Sequence, residues 1–239
     1  MHRTLRRTLR EGFPTLFYEK DPYTGRAWNT PISIGEGWTE LLVCAASVVC
    51  GHEEALHIDS ENRTKVIEIS EKHGELRVPL KQFADIFCFD VIAYAEYLSS
   101  WLCEACGYPG RRFVSAGGWR KTLCDDCSAV GAFGQTWRKH ELEDEAYPTT
   151  NLLPDLTRLA LTAKQQTAIR AYAAFLEALR NYGVKKADME GPLITAVTLS
   201  SPDGVPEFET TINFQTCSEA VGAVAMTQFY CAHTAWRRW

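Results

Sequence analysis

The sequence has no run of about 18 apolar residues, the length that a membrane-spanning helix needs. A secretory leader is not expected either, because the arginines near the N-terminus are not followed by an apolar stretch. The phosphate-cradling Gly-x-Gly-x-x-Gly and Walker patterns and the His-Glu-x-x-His pattern of zincins are also absent. We therefore expect a cytoplasmic protein that does not span a membrane and has no familiar catalytic motif.

Strong net charge is another feature that the chain lacks. Its 239 residues carry a formal net charge of −5, which argues against a protein that coats nucleic acid through its global charge. Hydrophobic residues make up 46% and charged residues 23% of the chain, as in an ordinary globular protein. Disorder is therefore not expected for most of it.

Cysteine, by contrast, is abundant, and four of the nine cysteines form two Cys-x-x-Cys pairs. The pairs are Cys103/Cys106 and Cys124/Cys127, and seventeen residues separate them. This spacing is typical of a tetrahedral zinc site, and thiolate is a ligand that borderline-soft zinc prefers. Because four thiolates fill the coordination shell and leave no place for water, the sequence predicts a structural zinc ion.

The other five cysteines are expected to be free and buried, because a thiol in apolar surroundings behaves as a small hydrophobic group. An odd number without a leader fits a reducing cytosol better than a disulfide framework. These residues are Cys44, Cys50, Cys88, Cys217 and Cys231.

The segment around the two pairs, about residues 101–129, has the anatomy of a treble-clef-like finger. Cys106-Gly107 fits a tight knuckle, since glycine lets the backbone approach the sulfur closely. Residues 111–114 and 119–123 predict a short hairpin. Cys124 and Cys127 would begin a helix, whose positive dipole end favours thiolate. So short a hairpin has little core of its own, and metal binding should contribute to its folding.

A catalytic zinc is disfavoured. Zinc deaminases carry a proline before a Cys-x-x-Cys pair and keep water on the metal, whereas the first pair here lacks that proline. His140 is an alternative ligand that four cysteines make unnecessary.

Hydrophobic periodicity outside the finger predicts helices and short antiparallel strands, so the predicted fold class is α+β. Helices are predicted at 1–10, 37–50 with a stop at Gly51, 85–101, 162–182 with a stop at Gly183, and near the C-terminus. A capping box at Thr162 and Gln165 opens the helix at 162–182, and one face of that helix would carry Ile169, Tyr172, Ala173, Leu176 and Leu179. Hairpins are predicted at 65–78, where Ile67 and Ile69 alternate with polar residues, and between 193–199 and 207–215. A second capping box at Thr216 and Glu219 opens the last helix, whose apolar face would carry Val221, Val224, Ala225, Phe229, Ala232 and Trp236.

We divide the chain into an N-terminal region with the finger (1–135), a connection (136–161) and a C-terminal helix–hairpin–helix region (162–239). The connection carries an acidic run at 141–145. In the first helix, Arg3, Arg6, Arg7 and Arg10 would share one face. That face suits either a solvated terminal helix or a grip on phosphates or an acidic partner.

Five short segments occur in a fixed order over residues 13–129: Gly-Glu-Gly-Trp (35–38), Ser-Glu-Lys-His-Gly-Glu-Leu-Arg (70–77), Ala-Glu-Tyr-Leu-Ser (95–99), Cys-Glu-Ala-Cys-Gly-Tyr-Pro-Gly (103–110) and Gly-Trp-Arg-Lys-Thr-Leu-Cys-Asp-Asp-Cys (118–127). The series resembles a group of uncharacterised phage and prophage proteins whose zinc finger has four cysteine ligands, or three cysteines and one histidine. His73 and Glu75 stand where the group has Phe and Gly, and Cys127 stands where its members often have His. The resemblance implies a mobile-element origin and implies no reaction.

The predicted finger hairpin combines basic and aromatic residues, which suits contact with a nucleic-acid backbone and stacking on bases. Solvated cations over packed aromatics would give the same pattern. The acidic total instead favours a protein partner, because Trp, Tyr and Arg are enriched in interface hot spots. The candidate macromolecule-binding residues are Arg111, Arg112, Trp119, Arg120 and Lys121.

These observations favour a zinc-stabilised, non-enzymatic phage accessory protein that binds a host or phage macromolecule. Inhibition of a bacterial defence complex, such as a CRISPR effector, is one concrete form of that function. The first alternative is a nucleic-acid-binding regulator. The second is an enzyme whose site is assembled only in three dimensions.

Overall fold

The computed structural model describes residues 3–20, 27–140, 156, 159–181, 194–200, 205–210 and 218–236. Helices and short strands alternate along these residues, and the fold class is α+β, as predicted. The helices are α1 (Arg3–Gly12), α2 (Pro14–Phe17), α3 (Thr39–Ala55), α4 (Ile86–Ser99), α5 (Asp125–Ala129), α6 (Ala163–Asn181) and α7 (Ser218–Trp236).

The strands form small sheets. They are β1 (Tyr18–Lys20), β2 (Ala27–Asn29), β3 (Ile32–Ser33), β4 (Lys65–Val66), β5 (Ile69–Lys72), β6 (Glu75–Arg77), β7 (Leu80–Gln82), β8 (Arg111–Ser115), β9 (Arg120–Leu123), β10 (Trp137–Lys139), β11 (Ile194–Ser200) and β12 (Val205–Thr210). Antiparallel pairs join β1 to β2, β4 to β7 and β11 to β12. One three-stranded sheet has the order β3-β5-β6, in which β3 and β5 are parallel, and the other has the order β10-β8-β9.

Helices α3, α4, α6 and α7 pack around one hydrophobic core. Its largest buried rings are those of Trp38, Tyr94, Tyr172 and Tyr230. The Tyr94 hydroxyl donates a hydrogen bond to the carbonyl of Ala168 (3.0 Å), which joins α4 to α6. The helices that the sequence pattern assigned to a separate C-terminal region therefore share their core with the N-terminal helices.

The turn predicted within residues 65–78 is confirmed, because β5 and β6 form an antiparallel hairpin. Its two turn residues, His73 and Gly74, have φ of 58° and 84°, the left-handed conformation that a type I′ turn requires. The predicted alternation is wrong at Ile67, which is 44% exposed, whereas Ile69 is buried. The physical reason is that Ile67 lies between β4 and β5, which belong to different sheets.

Two helix starts follow the local chemistry of the sequence. Asp85 caps α4, and its side chain accepts the N–H of Cys88 (3.0 Å). The predicted capping box before α6 is confirmed: the Thr162 hydroxyl accepts the Gln165 N–H (3.2 Å), and the Gln165 side chain accepts the Thr162 N–H (2.8 Å). The predicted inner face of α6 is also buried at Ile169, Tyr172, Ala173 and Leu176.

The predicted helix stop at Gly51 is wrong, because α3 continues to Ala55. Glycine in a helix interior costs only about 1 kcal/mol relative to alanine, and a tertiary contact overrides that cost. Glu53 in the added turn is buried and accepts the backbone N–H of Thr64 (2.6 Å). This contact holds the end of α3 against the chain that leads into β4.

The predicted apolar face of α7 is wrong at Val221 and Phe229, which are exposed, whereas Val224 packs against the main core and the Trp236 side chain lies outside the described part of the chain. The face that packs against α4 begins with small residues, and a β-carbon on Gly222 would lie 2.8 Å from the Asp90 β-carbon. Close helix approach therefore selects this face over the most hydrophobic one. Its buried members are Gly222, Ala223, Met226, Thr227, Tyr230, Cys231 and Thr234.

The N-terminal helix is confirmed as α1. Leu9 is buried, and the Arg10 guanidinium donates to the carbonyl of Thr30 (3.0 Å), so this turn is anchored to the rest of the protein. Arg7 is exposed and lies 3.6 Å from a Glu11 carboxylate oxygen. Several predictions fall outside the described residues or side chains: Arg3, Arg6, Gly183, Thr216, Cys217, Glu219, the acidic run at 141–145 and residues 237–239.

Candidate metal centre

Four cysteine sulfurs converge between the end of α4 and the start of α5. The Sγ atoms of Cys103, Cys106, Cys124 and Cys127 all lie within 4.8 Å of one another. Cys103 is fully buried and Cys106 is exposed, whereas the second pair is half-buried. The two predicted pairs therefore form one cluster at the edge of the protein.

The first pair sits in a tight backbone knuckle. The N–H of Gly107 donates to the carbonyl of Cys103 (2.8 Å), and the N–H of Cys103 donates to the carbonyl of Tyr108 (2.7 Å). Gly107 has a φ of 74°, a conformation that glycine adopts without steric cost. The predicted role of this glycine in the knuckle is confirmed.

The second pair begins a helix, as predicted. Cys124 is the N-cap of α5, and its sulfur accepts the backbone N–H of Cys127 (3.4 Å). Strands β8 and β9 form the predicted hairpin between the two pairs, with Phe113 and Leu123 buried beside Cys103. Hairpin and helix thus bring the two pairs together around a small core of their own.

The sulfur positions fit a shared metal ion. Cys106 Sγ and Cys124 Sγ are 3.6 Å apart, far beyond the roughly 2.05 Å of a disulfide bond, and all four cysteines are free. Metal–sulfur bonds of about 2.3 Å in a tetrahedron place sulfurs about 3.8 Å apart. Four thiols at this spacing can hold one metal ion, and the donor set suits an ion that prefers thiolate.

The thiols differ in acidity. Burial raises the pKa of Cys106 to about 11 and also raises the pKa of Cys127. Burial acts in the same direction on Cys124, but the N–H and thiol of Cys127 outweigh it and lower the pKa of Cys124. A cation is needed to keep all four sulfurs ionised together, and a metal ion held by them would supply that charge.

The Gly-Glu-Gly-Trp segment (35–38) before α3 packs closely against the backbone of the first cysteine pair. A β-carbon on Gly35 would lie 2.3 Å from the carbonyl oxygen of Glu104, so only glycine fits there. Gly37 donates its N–H to that same carbonyl (2.8 Å), and the Trp38 indole donates to the carbonyl of Leu102 (2.9 Å). The Gly-Glu-Gly-Trp motif therefore joins the main helical core to the backbone of the first cysteine pair.

A buried ion network fixes the other side of the finger. The Lys121 ammonium lies 2.6 Å from a Glu71 oxygen and 2.8 Å from a Glu104 oxygen, and the Glu104 carboxylate also accepts the N–H of Gly35 (3.0 Å). Burial raises the pKa of Glu104 in spite of the Lys121 charge. The network joins the hairpin β5–β6, the knuckle and β9.

The hairpin turn completes the contact between finger and body. The Thr122 hydroxyl donates to the carbonyl of Gly74 (2.7 Å), and the Arg112 guanidinium donates to a Glu75 carboxylate (2.8 Å). The Ser99 hydroxyl in turn accepts the N–H of Leu76 (2.8 Å). Residues of the five short segments at 35–38, 70–77, 95–99, 103–110 and 118–127 thus take part in the contacts that hold the finger.

The structure separates the candidate macromolecule-binding residues into two groups. Arg111 is hydrogen-bonded to Asp125 (2.5 and 2.7 Å), which lowers the pKa of Asp125, and Arg112 and Lys121 are held by the carboxylates described above. Trp119 is 68% exposed at the tip of the hairpin, and the neighbouring Arg120 is also exposed. In the first group the Arg111 side chain is 33% exposed, and those of Arg112 and Lys121 are largely buried.

Strand β10 adds a residue that the sequence pattern did not single out. Its register places Arg138 opposite Val114, whose other neighbour is Arg120, so both arginines lie in one cross-strand row. Both arginines are exposed, and neither makes an ion pair within the described part of the chain. A three-residue strand inside a predicted connection gives no periodicity signal that would have revealed this row.

The remaining cysteines of the described chain are buried, as expected, and none forms a disulfide: Cys44, Cys50, Cys88 and Cys231. Cys88 lies near His52 and Asp85, a residue set that also occurs in nucleophilic enzymes. Its thiol is fully buried, and burial raises the pKa of Cys88 to about 12, which opposes a role as nucleophile. His140, the alternative ligand considered from the sequence, does not belong to the four-sulfur cluster.

Comparison with protein-family models, curated proteins and solved structures finds no match to this chain. Among the described residues, no helix has both the length and the apolar character needed to cross a membrane.

Proposed function

We propose that the four cysteines hold one structural zinc ion in a treble-clef-like finger. Zinc is the ion that most often takes four thiolates at this ligand spacing. The order of knuckle, hairpin and helix-borne second pair supports the finger type. The four sulfurs leave no coordination position for water, so the ion scaffolds the finger and does not activate a substrate.

We further propose that the protein is a non-enzymatic binding protein whose partner is another protein. The observation that carries this proposal is the pairing of three of the four candidate cations with carboxylates, whereas two aromatic side chains of the finger are exposed. Tyr108 is 60% exposed and Trp119 is 68% exposed. Large amphipathic rings on a rigid support are typical anchors of protein interfaces.

The resemblance to phage proteins indicates where the partner should be sought. A phage accessory protein acts in the cytoplasm of a bacterial host, and a defence complex such as a CRISPR effector is a partner of the required kind. The convergence of the five resembling segments on the finger supports a shared architecture, and it bears on no particular partner.

Nucleic acid is the second candidate, and one observation favours it. Arg120 and Arg138 are exposed in one row, and Trp119 stands beside Arg120. Two guanidinium groups next to an indole suit a phosphate backbone and a stacked base.

A salt series with single-stranded DNA and RNA separates the two candidates. If nucleic acid is the partner, affinity falls steeply with salt and the slope is reduced by Arg120→Ala. Arg111→Ala is the matched control, because Arg111 already pairs with Asp125. Absence of binding at every salt concentration excludes nucleic acid. Co-purification of one bacterial protein that is lost with Trp119→Ala and kept with Arg111→Ala then supports the protein partner.

A further inference from the structure

A second group of metal-ligand side chains lies where the end of α3 meets the start of α4. The ligand atoms of His52, Asp85 and Cys88 are all within 4.8 Å of one another. His52 Nε2 and Asp85 Oδ2 are 2.6 Å apart and share a hydrogen bond. The group belongs to the helical body and shares no residue with the four-cysteine cluster.

The surrounding fold holds all three side chains in fixed positions. One Asp85 oxygen accepts the N–H of Cys88 as the cap of α4, which leaves the other oxygen directed at His52. The ring of Phe87 stacks on the imidazole with centroids 4.1 Å apart and fixes its plane. Cys88 lies in the first turn of α4 with its thiol fully buried, and binding an ion there would exchange the thiol proton for the metal.

The carboxylates of Glu53 and Asp85 lie near the Cys88 sulfur, and a cation there would offset their charge. Glu53 is 1% exposed, and its Oε1 lies 4.0 Å from the Cys88 sulfur. That carboxylate contacts the Thr64 N–H and the sulfur, and no Lys or Arg pairs with it within the described part of the chain. A buried carboxylate without a counter-charge is costly, and the Asp85 carboxylate adds a second negative group beside Cys88.

We propose that His52, Asp85 and Cys88 form a second metal site for a divalent transition-metal ion such as Zn²⁺ or Co²⁺. One nitrogen, one oxygen and one sulfur ligand suit a borderline ion of this kind and disfavour Mg²⁺ or Ca²⁺, which take oxygen ligands. The cation replaces the proton that His52 and Asp85 share and offsets the charge of Glu53. The His52 and Asp85 side chains are 25% and 33% exposed, which gives the ion a route from solvent.

This site is independent of the proposed zinc finger, and the two differ in a measurable way. Four cysteines give a tetrathiolate site, whereas the second site contributes a single sulfur. With Co²⁺ as the probe, the sulfur-to-metal charge-transfer absorption per ion is therefore much weaker at the second site.

Titration of the full chain with Co²⁺, followed by measurement of the bound metal, tests the proposal. We expect two ions per chain in the wild type and one in His52→Gln and in Cys88→Ser. His52→Gln keeps a polar group beside Asp85 and guards against misfolding as the cause of the loss. Cys231→Ser, which alters a buried cysteine of the same core, should retain two ions.

Cys124→Ser should lose the strong charge-transfer absorption and keep the weak component. One ion per chain in the wild type at saturating Co²⁺ would overturn the second site. So would a second ion that persists in both His52→Gln and Cys88→Ser. A wild type with one ion and full tetrathiolate absorption would leave the zinc finger intact, so the two proposals fail separately.

Discussion

Gly37 and Cys103 approach so closely that no side chain fits between their backbones. A β-carbon on Gly37 would lie 2.2 Å from the Cys103 carbonyl oxygen and 2.4 Å from the Gly107 nitrogen. Non-bonded carbon contacts are favourable only at about 3.5–4.0 Å, so the backbone would have to move. The segment that leads into α3 is therefore shaped to the cysteine knuckle, and the body and the metal centre depend on each other.

Gly37→Ala should lower the free energy of unfolding by about 1–3 kcal/mol or more, because overpacked sites force backbone shifts. It should also weaken metal retention, since the shifted backbone belongs to the first cysteine pair. Gly51→Ala is the control: Gly51 lies inside α3, a β-carbon there would have nothing within 4 Å, and alanine should stabilise that helix by about 0.5–1 kcal/mol. Urea denaturation measures both changes. Equal stability of the two variants would contradict the tight packing of Gly37 against Cys103 and Gly107.

Lys121→Met should destabilise the protein by about 3–5 kcal/mol, because it leaves Glu71 and Glu104 without their shared cation. Arg120→Met makes a similar chemical change at the adjacent residue, which is exposed and makes no ion pair within the described chain. Its effect should stay within about 0.5 kcal/mol. Thermal or urea unfolding measures the loss of stability in the two variants. A small effect of Lys121→Met would mean that the network does not fix the finger.

Glu96 should make stability depend on pH. Its carboxylate accepts the N–H of Val78 (2.5 Å), but burial outweighs this bond and raises the pKa of Glu96 above 4.5. The folded protein therefore holds this proton more tightly than the unfolded chain. Its contribution is fully present below 4.5 and is lost as pH rises through the raised pKa.

Glu96→Gln should consequently gain stability relative to the wild type as pH rises above 4.5, and the difference should then become constant. Urea unfolding from that pH to neutrality measures it. Glu61→Gln, at an exposed position, corrects for the loss of a carboxylate as such. A difference that shrinks with pH would show that the pKa shift has the opposite sign.

Metal removal should raise local opening of the finger strands before it affects the helices of the main core. The finger core contains Cys103, Phe113 and Leu123 as its fully buried members, which is too little to stabilise β8 and β9 alone. A chelator should therefore raise amide hydrogen exchange in these strands and leave α6 protected by the main core. Exchange that rises equally in both elements, or in neither, would show that the metal does not support the finger separately.

The sequence was most informative where chemistry is local. The spacing of Cys103, Cys106, Cys124 and Cys127 predicted one cluster, because each Cys-x-x-Cys pair brings its own two sulfurs together and the short hairpin between the pairs joins them. The capping box at Thr162 and the turn at Gly74 are similarly decided by neighbouring residues.

The sequence was least informative where distant segments decide the structure. The ion pair between Glu75 and Arg112 joins residues that are far apart in the chain, so the paired state of Arg112 cannot be inferred from its neighbours. The inner face of α7 was misjudged because helix contact there depends on the small size of Gly222, and hydrophobicity gives no measure of that. Strand β10 pairs with β8 through only three residues, too few for a period.

Native mass spectrometry of the freshly purified chain shows whether the four finger cysteines hold zinc. We expect reduced cysteines and bound zinc, with Cys124→Ser retaining one zinc ion fewer than the wild type. Cys44→Ser, which alters a buried cysteine of the main core, should retain the wild-type number. A metal-free wild-type mass, with the four finger cysteines joined in two disulfides, would overturn the zinc site.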